Sequence, residues 1–475
     1  MPNETSLNII KSMTEFAEHT LDAVIQKQKI FFSKGHTRDV EKRIQQLVQL
    51  ERVIKQNEDR LCEAVYKDFK KSAFDTQLTE FSVIYKEIKL AIRHLKKWAK
   101  PKKVNTNLLN WPATSFIDSE PYGVVLIIGA WNYPFQLTLV PLVSALAAGN
   151  TVVLKPSELS ENSSLILCQI LNEQFSQDFI YCAHGGISLT QKLLSFKFDK
   201  IFFTGSPRVG QIVYEAAARH LTPVTLELGG KSPCLVMSDA DLVVAARRIV
   251  WGKFINAGQT CIAPDYLLVD KKIAESFLIE VKKQIKLFYG ADSLLTQDYS
   301  RIINERNWLR LVRFLKESNI YMGGSYDQAS FYIEPTVLYP VSISDSVMKE
   351  EIFGPILPVL TFENVEEIEK VLSSFDKPLA FYCFTENITQ AYEVASRISF
   401  GGGVINDTLM HIANHNLPFG GVGLSGIGNY HGEYGFKAFT YQKSLLVKKT
   451  WFDPILRYPP YSKFTEKILL WLAQF

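Results

Sequence analysis

The sequence has few cysteines, and no two of them lie close together. Its 475 residues include six, without a C-x-x-C pair. They are Cys62, Cys168, Cys182, Cys234, Cys261 and Cys383. A disulfide framework or a structural zinc site needs closely spaced pairs, so neither is expected, and a reducing compartment fits this usage better.

An excess of charge and a long apolar run are also missing. Lys and Arg number 52 and Asp and Glu 49, and the net charge of +3 is too small to indicate a nucleic-acid partner. The most apolar region, residues 122–149, is interrupted by Asn132, Pro134 and Pro141, whereas a membrane span needs ~20 mostly apolar residues. The first residues, MPNETSLNIIKSM, lack the basic and apolar stretches of a signal peptide. We therefore expect a cytoplasmic protein.

The length and composition are those of a globular protein with two or three domains. Hydrophobic residues make up 47% of the chain and charged residues 21%. Residues 4–100 have a helical periodicity, as at Phe81, Ile84, Ile88 and Ile92. From residue 122 the pattern changes to short apolar strands that alternate with helices.

Five predicted strands alternate with four predicted helices in the region that follows. The strands are Val124–Ile128, Val152–Leu154, Phe179–Cys182, Lys200–Phe203 and Val224–Leu226. The helices lie near residues 136–148, 161–175, 188–194 and 207–220. This alternation predicts a doubly wound parallel sheet, whose ligands bind at the carboxyl ends of the strands.

A second α/β region follows residue 230. Its helices are predicted near residues 240–255, 272–288 and 304–318, and its strands near residues 265–269, 331–338 and 356–361. Two extended segments, Val104–Asp118 and Ser444–Lys448, flank the α/β regions in sequence. We expect these two segments to pair with each other and to extend a sheet across a subunit boundary.

Two turns that follow strands are candidate cofactor sites. Gly205, Ser206 and Gly210 lie where a strand leads into a helix, so their backbone N–H groups can bind a phosphate, although an ordinary strand–helix turn has the same pattern. Lys155 and Glu158 follow another strand. They can bind ribose hydroxyls, or they can form a surface turn with a helix cap.

Two further residues are candidates for chemistry. Cys261 has glycine and polar neighbours that permit the partial exposure of a nucleophilic thiol, whereas the other five cysteines lie in predicted strands or helices. Glu227 ends an apolar strand, where burial would raise its pKa and make it a base. Taken singly, each of these residues also has a purely structural explanation.

The order and spacing of these segments resemble those of the NAD(P)-dependent aldehyde dehydrogenases. The resemblance extends from Phe69 past Phe439 and includes WNYP at 131–134, EIFGP at 351–355 and LPFGG at 417–421. Four further motifs are similar to those of class 3, the fatty and aromatic aldehyde branch. They are EPYG at 120–123, GQTCIAPDY at 258–266, NDT at 406–408 and GNYHG at 428–432.

This resemblance implies an α/β fold with a doubly wound, Rossmann-like cofactor domain, an α/β catalytic domain and a small β oligomerisation element. The NAD(P)-binding domain would comprise residues 1–100 and 122–228, and the catalytic domain residues 229–429. The oligomerisation element of a homodimer would comprise residues 101–121 and 430–455, followed by a tail at 456–475.

The same resemblance implies catalytic roles. Cys261 would attack the aldehyde carbonyl, and the side-chain amide of Asn132 with the backbone N–H of Cys261 would hold the oxyanion. Loss of hydride to the nicotinamide would leave a thioester on Cys261, and Glu227 would activate the water that hydrolyses it. One alternative is an enzyme that transfers the acyl group to coenzyme A; such enzymes commonly lack this Glu. The other alternative is a non-catalytic protein with the same fold.

Eight residues are implied in binding the cofactor. They are Lys155 and Glu158 at the adenosine ribose, Gly205, Ser206 and Gly210 near the pyrophosphate, Leu228 beside them, and Glu351 and Phe353 at the nicotinamide ribose. The charge of Glu158 favours NAD over NADP, although class 3 relatives often use both. His411 and His415 are four residues apart but lie in a predicted loop without a third ligand, so no metal is expected.

The tail is predicted to end in an amphipathic helix. Phe464, Ile468, Trp471, Leu472 and Phe475 would share one face of it. A helix of about 14 residues is too short to span a bilayer, but it can lie on one, cover a substrate entrance or pack on the dimer. Our hypothesis is that the tail favours long apolar aldehydes.

Overall fold

The computed structural model describes residues 21–472 and 474, and this part of the chain begins with helices. Residues 21–33 are helical. They are followed by the helices Val40–Gln56, Glu58–Phe69, Ala73–Thr76 and Ser82–Trp98, with a π-helical turn at Gln77–Phe81. The helices Val40–Gln56 and Ser82–Trp98 pack on each other and on the helix Gln136–Ala148, and Glu58–Phe69 packs on the helix Glu161–Gln174. The predicted helical character is confirmed for residues 21–98, and residues 1–20 lie outside the described residues.

The first sheet of the described chain has five parallel strands and one short antiparallel strand. In spatial order they are Gly426–Ile427, Val224–Glu227, Lys200–Thr204, Val124–Ile128, Thr151–Lys155 and Ile180–Cys182. The helices that connect the parallel strands are Gln136–Ala148, Glu161–Gln174, Ile187–Ser195 and Pro207–Ala218. The strand order reverses at Val124–Ile128, so the predicted doubly wound topology is confirmed.

The second sheet has seven strands within the described residues. In spatial order they are Ile320–Met322, Thr336–Leu338, Ile356–Phe362, Tyr266–Asp270, Pro233–Val236, Ala380–Phe384 and Gly402–Ile405. All neighbours are parallel except the first pair. The longer helices of this region are Leu242–Phe254, Ala274–Tyr289, Glu305–Glu317, Val365–Leu372 and Ile388–Ser396. This region is therefore a second, mainly parallel α/β layer.

One predicted strand of this region, residues 331–338, is wrong. Tyr332–Ile333 pairs with Tyr326–Asp327 in a separate two-stranded sheet, whereas Thr336–Leu338 joins the seven-stranded sheet. Pro335 lies between them, and proline lacks the N–H that a continuous ladder of hydrogen bonds requires. Residues 331–338 therefore contribute to two sheets instead of forming one strand.

The third sheet pairs the two extended segments that flank the α/β regions. Ala113–Pro121 runs antiparallel to Thr440–Lys448 over its whole length, and Lys102–Val104 pairs on its other side. The predicted pairing is confirmed. The predicted start of the strand at residue 104 is wrong, because a helical turn at Leu108–Asn110, followed by Pro112, interrupts the extended chain.

The described part of the tail ends in the helix Lys463–Leu472. Phe464 and Trp471 are 71% and 56% exposed, so much of the predicted apolar face is not covered by the rest of this chain. Phe475, which was expected on the same face, lies outside the described residues. None of the helices formed by residues 21–472 is both long enough and apolar enough to cross a membrane.

Candidate active site

The candidate nucleophile Cys261 follows a turn with a left-handed backbone. Asn256, Ala257 and Gly258 have φ angles of 52°, 51° and 73°. This conformation costs a residue such as Ala257 ~1–2 kcal/mol, so the surrounding structure must hold it in place. Glycine is required at position 258, because a Cβ there would lie 2.3 Å from the carbonyl oxygen of Gly354.

Gln259 holds this turn from within the core. Its side chain is fully buried, and its Nε2 donates to the carbonyl oxygens of Asn256 and Arg301, both at 3.0 Å. Its Oε1 accepts a 3.0 Å hydrogen bond from the N–H of Ile303. Gln259 belongs to the GQTC motif, but its own role was not predicted, because Arg301 and Ile303 lie 42 and 44 residues further along the chain.

Asn132 lies against the same turn. Its buried side-chain Nδ2 donates to the backbone carbonyl oxygen of Gln259 at 3.0 Å. The backbone carbonyl oxygen of Asn132 accepts a 2.9 Å hydrogen bond from Nδ2 of Asn256. An amide has a second N–H, which can serve an oxyanion formed beside Cys261. The structure therefore brings Asn132 and the cysteine turn together, although 127 residues separate Asn132 from Gln259.

Glu227 is the last residue of the strand Val224–Glu227, and it pairs with Gly426 across the antiparallel edge of the first sheet. Both carboxylate oxygens are buried and have no hydrogen-bond partner among the described residues. This burial raises the pKa of Glu227 well above its usual value. A carboxylate with a raised pKa is a stronger base, which suits it to take a proton from water.

The thiol of Cys261 lies within the electrostatic influence of two carboxyl groups. Burial, followed by the negative charges of Glu351 and Glu227, raises its pKa to about 12, and the N–H groups of Cys261 and Ile262 act in the opposite direction. Cys261 is partly exposed, whereas the five other cysteines are buried. A partly exposed thiol beside backbone N–H donors has the arrangement of a nucleophile next to an oxyanion hole.

Lys155 and Glu158 lie together at the carboxyl end of the strand Thr151–Lys155. Nζ of Lys155 and Oε2 of Glu158 are 2.5 Å apart, with the lysine buried and the glutamate partly exposed. The ion pair holds the carboxylate of Glu158 at the strand end, where it can accept hydrogen bonds from a ribose. The two predicted ribose ligands are therefore brought together.

The predicted phosphate turn leads into the helix Pro207–Ala218, with Ser206 immediately before it. Gly210 lies in the first turns of that helix and packs on Leu228, since a Cβ at Gly210 would lie 2.6 Å from Cδ2 of Leu228. The N–H of Gly205 is bonded to the strand that contains Glu227. These predicted cofactor residues thus form one strand–helix junction beside the candidate base.

Glu351 packs directly on the backbone at Gly229 and Gly230. A Cβ at Gly229 would lie 2.1 Å from Oε2 of Glu351, and the N–H of Gly230 donates to the Glu351 carboxylate. Phe353 has a φ of 48°, and its ring centroid lies 5.4 Å from that of Trp131, the neighbour of Asn132 in the chain. These two predicted cofactor residues therefore border the catalytic candidates.

Comparison with known proteins identifies the family of this chain. A sequence model of the aldehyde dehydrogenase family matches residues 3–445. The chain belongs to the aldehyde dehydrogenase family. It is 46% identical to the 4,4'-diaponeurosporen-aldehyde dehydrogenase of Staphylococcus aureus over 435 residues, which are 91% of this chain and 95% of the relative. It is 44% identical to aldehyde dehydrogenase family 3 member A2 of Rattus norvegicus over 445 residues, which are 93% of this chain and 92% of the relative.

The fold of this aldehyde dehydrogenase also matches a solved structure. That structure is Staphylococcus aureus AldH in a substrate-bound state, with a TM-score of 0.93 and 44% identity, covering 95% of this chain and 99% of the other. The resemblance seen in the sequence is confirmed. The protein is an NAD(P)-dependent aldehyde dehydrogenase of the class 3 type with a Rossmann-like α/β fold.

Replacing Glu351 by Gln in this aldehyde dehydrogenase should make Cys261 more reactive, but only at alkaline pH. Burial and the charge of Asp265 raise the pKa of Glu351 to about 8, so its carboxylate forms mainly above that pH. Only this charged form opposes the ionisation of the Cys261 thiol. A charge several ångströms away is worth about 1 kcal/mol, so we expect roughly fivefold faster alkylation by iodoacetamide above about pH 9 and no change below about pH 7.

Mass spectrometry of the peptide that contains Cys261 measures these alkylation rates. The matched control is Glu350→Gln, which removes the neighbouring, exposed carboxylate that pairs with Arg313 at 3.4 Å. This control should follow the wild type at every pH. Equal rates for Glu351→Gln and the wild type over the whole range would contradict the electrostatic interaction.

Proposed function

We propose that this enzyme oxidises apolar aldehydes, either aromatic or aliphatic of medium to long chain, to carboxylic acids through a thioester on Cys261. The observation that carries the proposal is the convergence in one region of a partly exposed thiol, the Asn132 amide and the carboxyl of Glu227, which has no hydrogen-bond partner among the described residues. The apolar class is supported by the Staphylococcus aureus relative, which is named for 4,4'-diaponeurosporen-aldehyde. The presence of Glu227 supports water over coenzyme A as the acyl acceptor.

Each side chain has one task in this reaction. The thiolate of Cys261 adds to the carbonyl carbon, and the new oxyanion accepts hydrogen bonds from the second N–H of Asn132 and from the backbone N–H of Cys261. NAD(P), when bound, supplies the acceptor for the hydride of the thiohemiacetal carbon. Glu227 then takes a proton from the water that attacks the thioester, which releases the acid and restores the Cys261 thiolate, and Glu227 afterwards passes this proton to solvent.

The candidate cofactor residues fit a dinucleotide. Glu158 and Glu351 are carboxylates that can accept hydrogen bonds from ribose hydroxyls, and the helix that begins at Pro207 directs N–H groups and a positive dipole end toward a pyrophosphate. Buried Lys155 holds Glu158 in place. Because the charge of Glu158 opposes a 2′-phosphate, we propose NAD as the preferred cofactor and NADP as the weaker one.

We further propose a homodimer that forms along the strand Thr440–Lys448. This strand has nine residues, lies at the edge of the three-stranded sheet, and is exposed from residue 441 to its end. An edge strand presents a row of backbone groups that another copy can pair. Three exposed aromatic rings contact one another at the end of this sheet where Lys448 lies; they are those of Trp111, Trp451 and Phe452. They add apolar surface to the proposed interface.

The helix Lys463–Leu472 is proposed to favour long apolar substrates. Phe464 and Trp471 are exposed in the single chain, so their rings can be buried by a substrate entrance on the partner subunit or by a membrane surface. In either position the helix would add apolar area around a long acyl chain and little around a short one. The tail should therefore affect selectivity for chain length and leave the chemistry unchanged.

Measuring kcat/KM for straight-chain aldehydes of two to sixteen carbons, with NAD and then NADP, tests substrate and cofactor together. We expect kcat/KM to rise with length, by at most about fourfold per carbon because a buried CH₂ contributes ~0.8 kcal/mol, and to be higher with NAD. Deletion of residues 460–475 should remove the rise for the longest chains. If short polar aldehydes react best, the apolar class is wrong, and an unchanged length profile after the deletion contradicts the role of the tail.

A further inference from the structure

We propose that Glu80, acting with Lys71 and Tyr133, is a positioning residue for the oxyanion hole of this enzyme. The proposal rests on the proposed role of Asn132. Glu80 and Lys71 are 0% and 1% exposed and lie in the helical layer that precedes the cofactor sheet. They contact neither Cys261 nor Glu227 directly, and their effect on catalysis would pass through the segment that carries Asn132.

Glu80 caps the helix that follows Asn132. This helix spans Gln136–Ala148, and its N-cap residue is Phe135, whose side chain cannot accept a hydrogen bond from the first N–H groups. Oε2 of Glu80 accepts these hydrogen bonds instead, at 2.8 Å from the N–H of Phe135 and 3.1 Å from that of Gln136. The carboxylate also places a negative charge at the positive end of the helix dipole. Glu80 thereby holds the carboxyl end of the segment that runs from Asn132 to Gln136.

Lys71 connects the same carboxylate to the ring of Tyr133. Its Nζ lies 3.3 Å from Oε1 of Glu80 and 4.3 Å from the centroid of the Tyr133 ring. A buried ion pair adds little net stability, because the desolvation of both charges offsets their attraction, but it restricts both groups to one geometry. The cation under the ring therefore restricts the orientation of Tyr133.

Tyr133 completes the connection to the cysteine turn. Its Oη lies 2.7 Å from Oγ1 of Thr260, the residue before Cys261, and the preceding Asn132 donates to Gln259 at 3.0 Å. The segment from Asn132 to Gln136 is thus fixed on one side by Glu80 and on the other by the turn. Since a displacement of about 1 Å can slow a reaction ~10²-fold, this fixation sets the strength of the oxyanion hole.

The Glu80→Gln variant should therefore slow acylation of Cys261. A carboxamide has one acceptor oxygen, and its NH₂ group must face either the Lys71 ammonium or the backbone N–H groups that Glu80 now accepts. We expect acylation by 4-nitrophenyl acetate, which uses the oxyanion hole without a cofactor, to slow by about tenfold to thirtyfold. The rate constant of the nitrophenolate burst measures acylation, and its amplitude counts the active sites. The KM for NAD should stay within about twofold of the wild-type value.

Asp68→Asn is the matched control. Asp68 also caps a helix from an earlier element, since it accepts hydrogen bonds from the N–H groups of Asn162 at 3.0 Å and Ser163 at 2.9 Å. That helix, Glu161–Gln174, does not follow the Asn132 segment. Both variants should lower Tm, but acylation should slow only in Glu80→Gln. Equal slowing in the two variants would show that Glu80 has a structural role alone and would overturn the proposal.

Two further measurements separate this inference from the proposed function. In the Asn132→Ala background, Glu80→Gln should slow acylation by less than about twofold, because both changes act through one amide; a further tenfold loss would overturn the inference. If Asn132→Ala alone leaves acylation unchanged, it is the proposed role of Asn132 that fails. Should Glu80→Gln not fold, Tyr133→Phe decides. It removes only Oη, so about threefold to tenfold slower acylation supports the proposal and an unchanged rate contradicts it.

Discussion

The Glu227→Gln variant should release one equivalent of NADH per active site in a burst and then turn over very slowly. Hydrolysis of the thioester requires a proton to be removed from water, whereas attack by the thiolate does not require this carboxyl group. A positioned general base contributes about 10²–10⁴-fold, so the steady-state rate should fall by about that factor. Because the described residues offer Glu227 no hydrogen-bond partner, Gln can occupy the same space without breaking a network. Stopped-flow absorbance of NADH resolves the burst from the steady rate.

Mass spectrometry of the arrested variant should find the acyl group on Cys261. The control Glu433→Gln makes the same change at an exposed carboxylate that pairs with Lys437 at 2.7 Å, and it should turn over like the wild type. Multiple turnover of Glu227→Gln at the wild-type rate would refute the assignment of the base. If coenzyme A releases the acyl group of the wild-type enzyme much faster than water does, the acylating reaction replaces hydrolysis.

The cofactor sheet could be predicted because short apolar runs and turn residues mark its elements. The helix Gln136–Ala148 is buried on every side and has no amphipathic period, yet Pro134 before it and Gly149 after it define its ends. Gly149 has a φ of 95°, the left-handed conformation in which helices often end. The single strand predicted over residues 331–338 was wrong because Pro335, which has no backbone N–H, separates two short strands that belong to different sheets.

The residues that orient the candidate site could not be predicted, because their partners are distant in sequence. Glu80 accepts a hydrogen bond from a residue 55 positions away, and Gln259 donates to one 42 positions away. Hydrophobic periodicity describes neighbours within one element and carries no information on such pairs. Ala257 is a related case. Its φ of 51° is unusual for a residue with a Cβ and follows from the contacts of the turn rather than from its own preference.

The Asn132→Ala variant should lower kcat by about 100- to 1000-fold, which is the usual effect of removing one donor from an oxyanion hole. The backbone N–H of Cys261 would remain, so a residual rate is expected. KM should change much less than kcat, because the amide bonds to an oxygen that is negative only after the thiolate has added. Steady-state NADH production measures both constants, and turnover within about threefold of the wild type would refute the role.

Alkylation distinguishes this role from support of the cysteine turn. Asn132 also donates to the carbonyl oxygen of Gln259, so its removal could slow the reaction simply by loosening the turn. Iodoacetamide alkylates the thiolate without forming an oxyanion, and Asn132→Ala should therefore be alkylated at nearly the wild-type rate. The control Asn162→Ala loses an amide that donates to Asp68 at 2.9 Å and should keep both reactions. If aldehyde oxidation and alkylation fall together in Asn132→Ala, the residue supports the turn, and the oxyanion must be held by other groups.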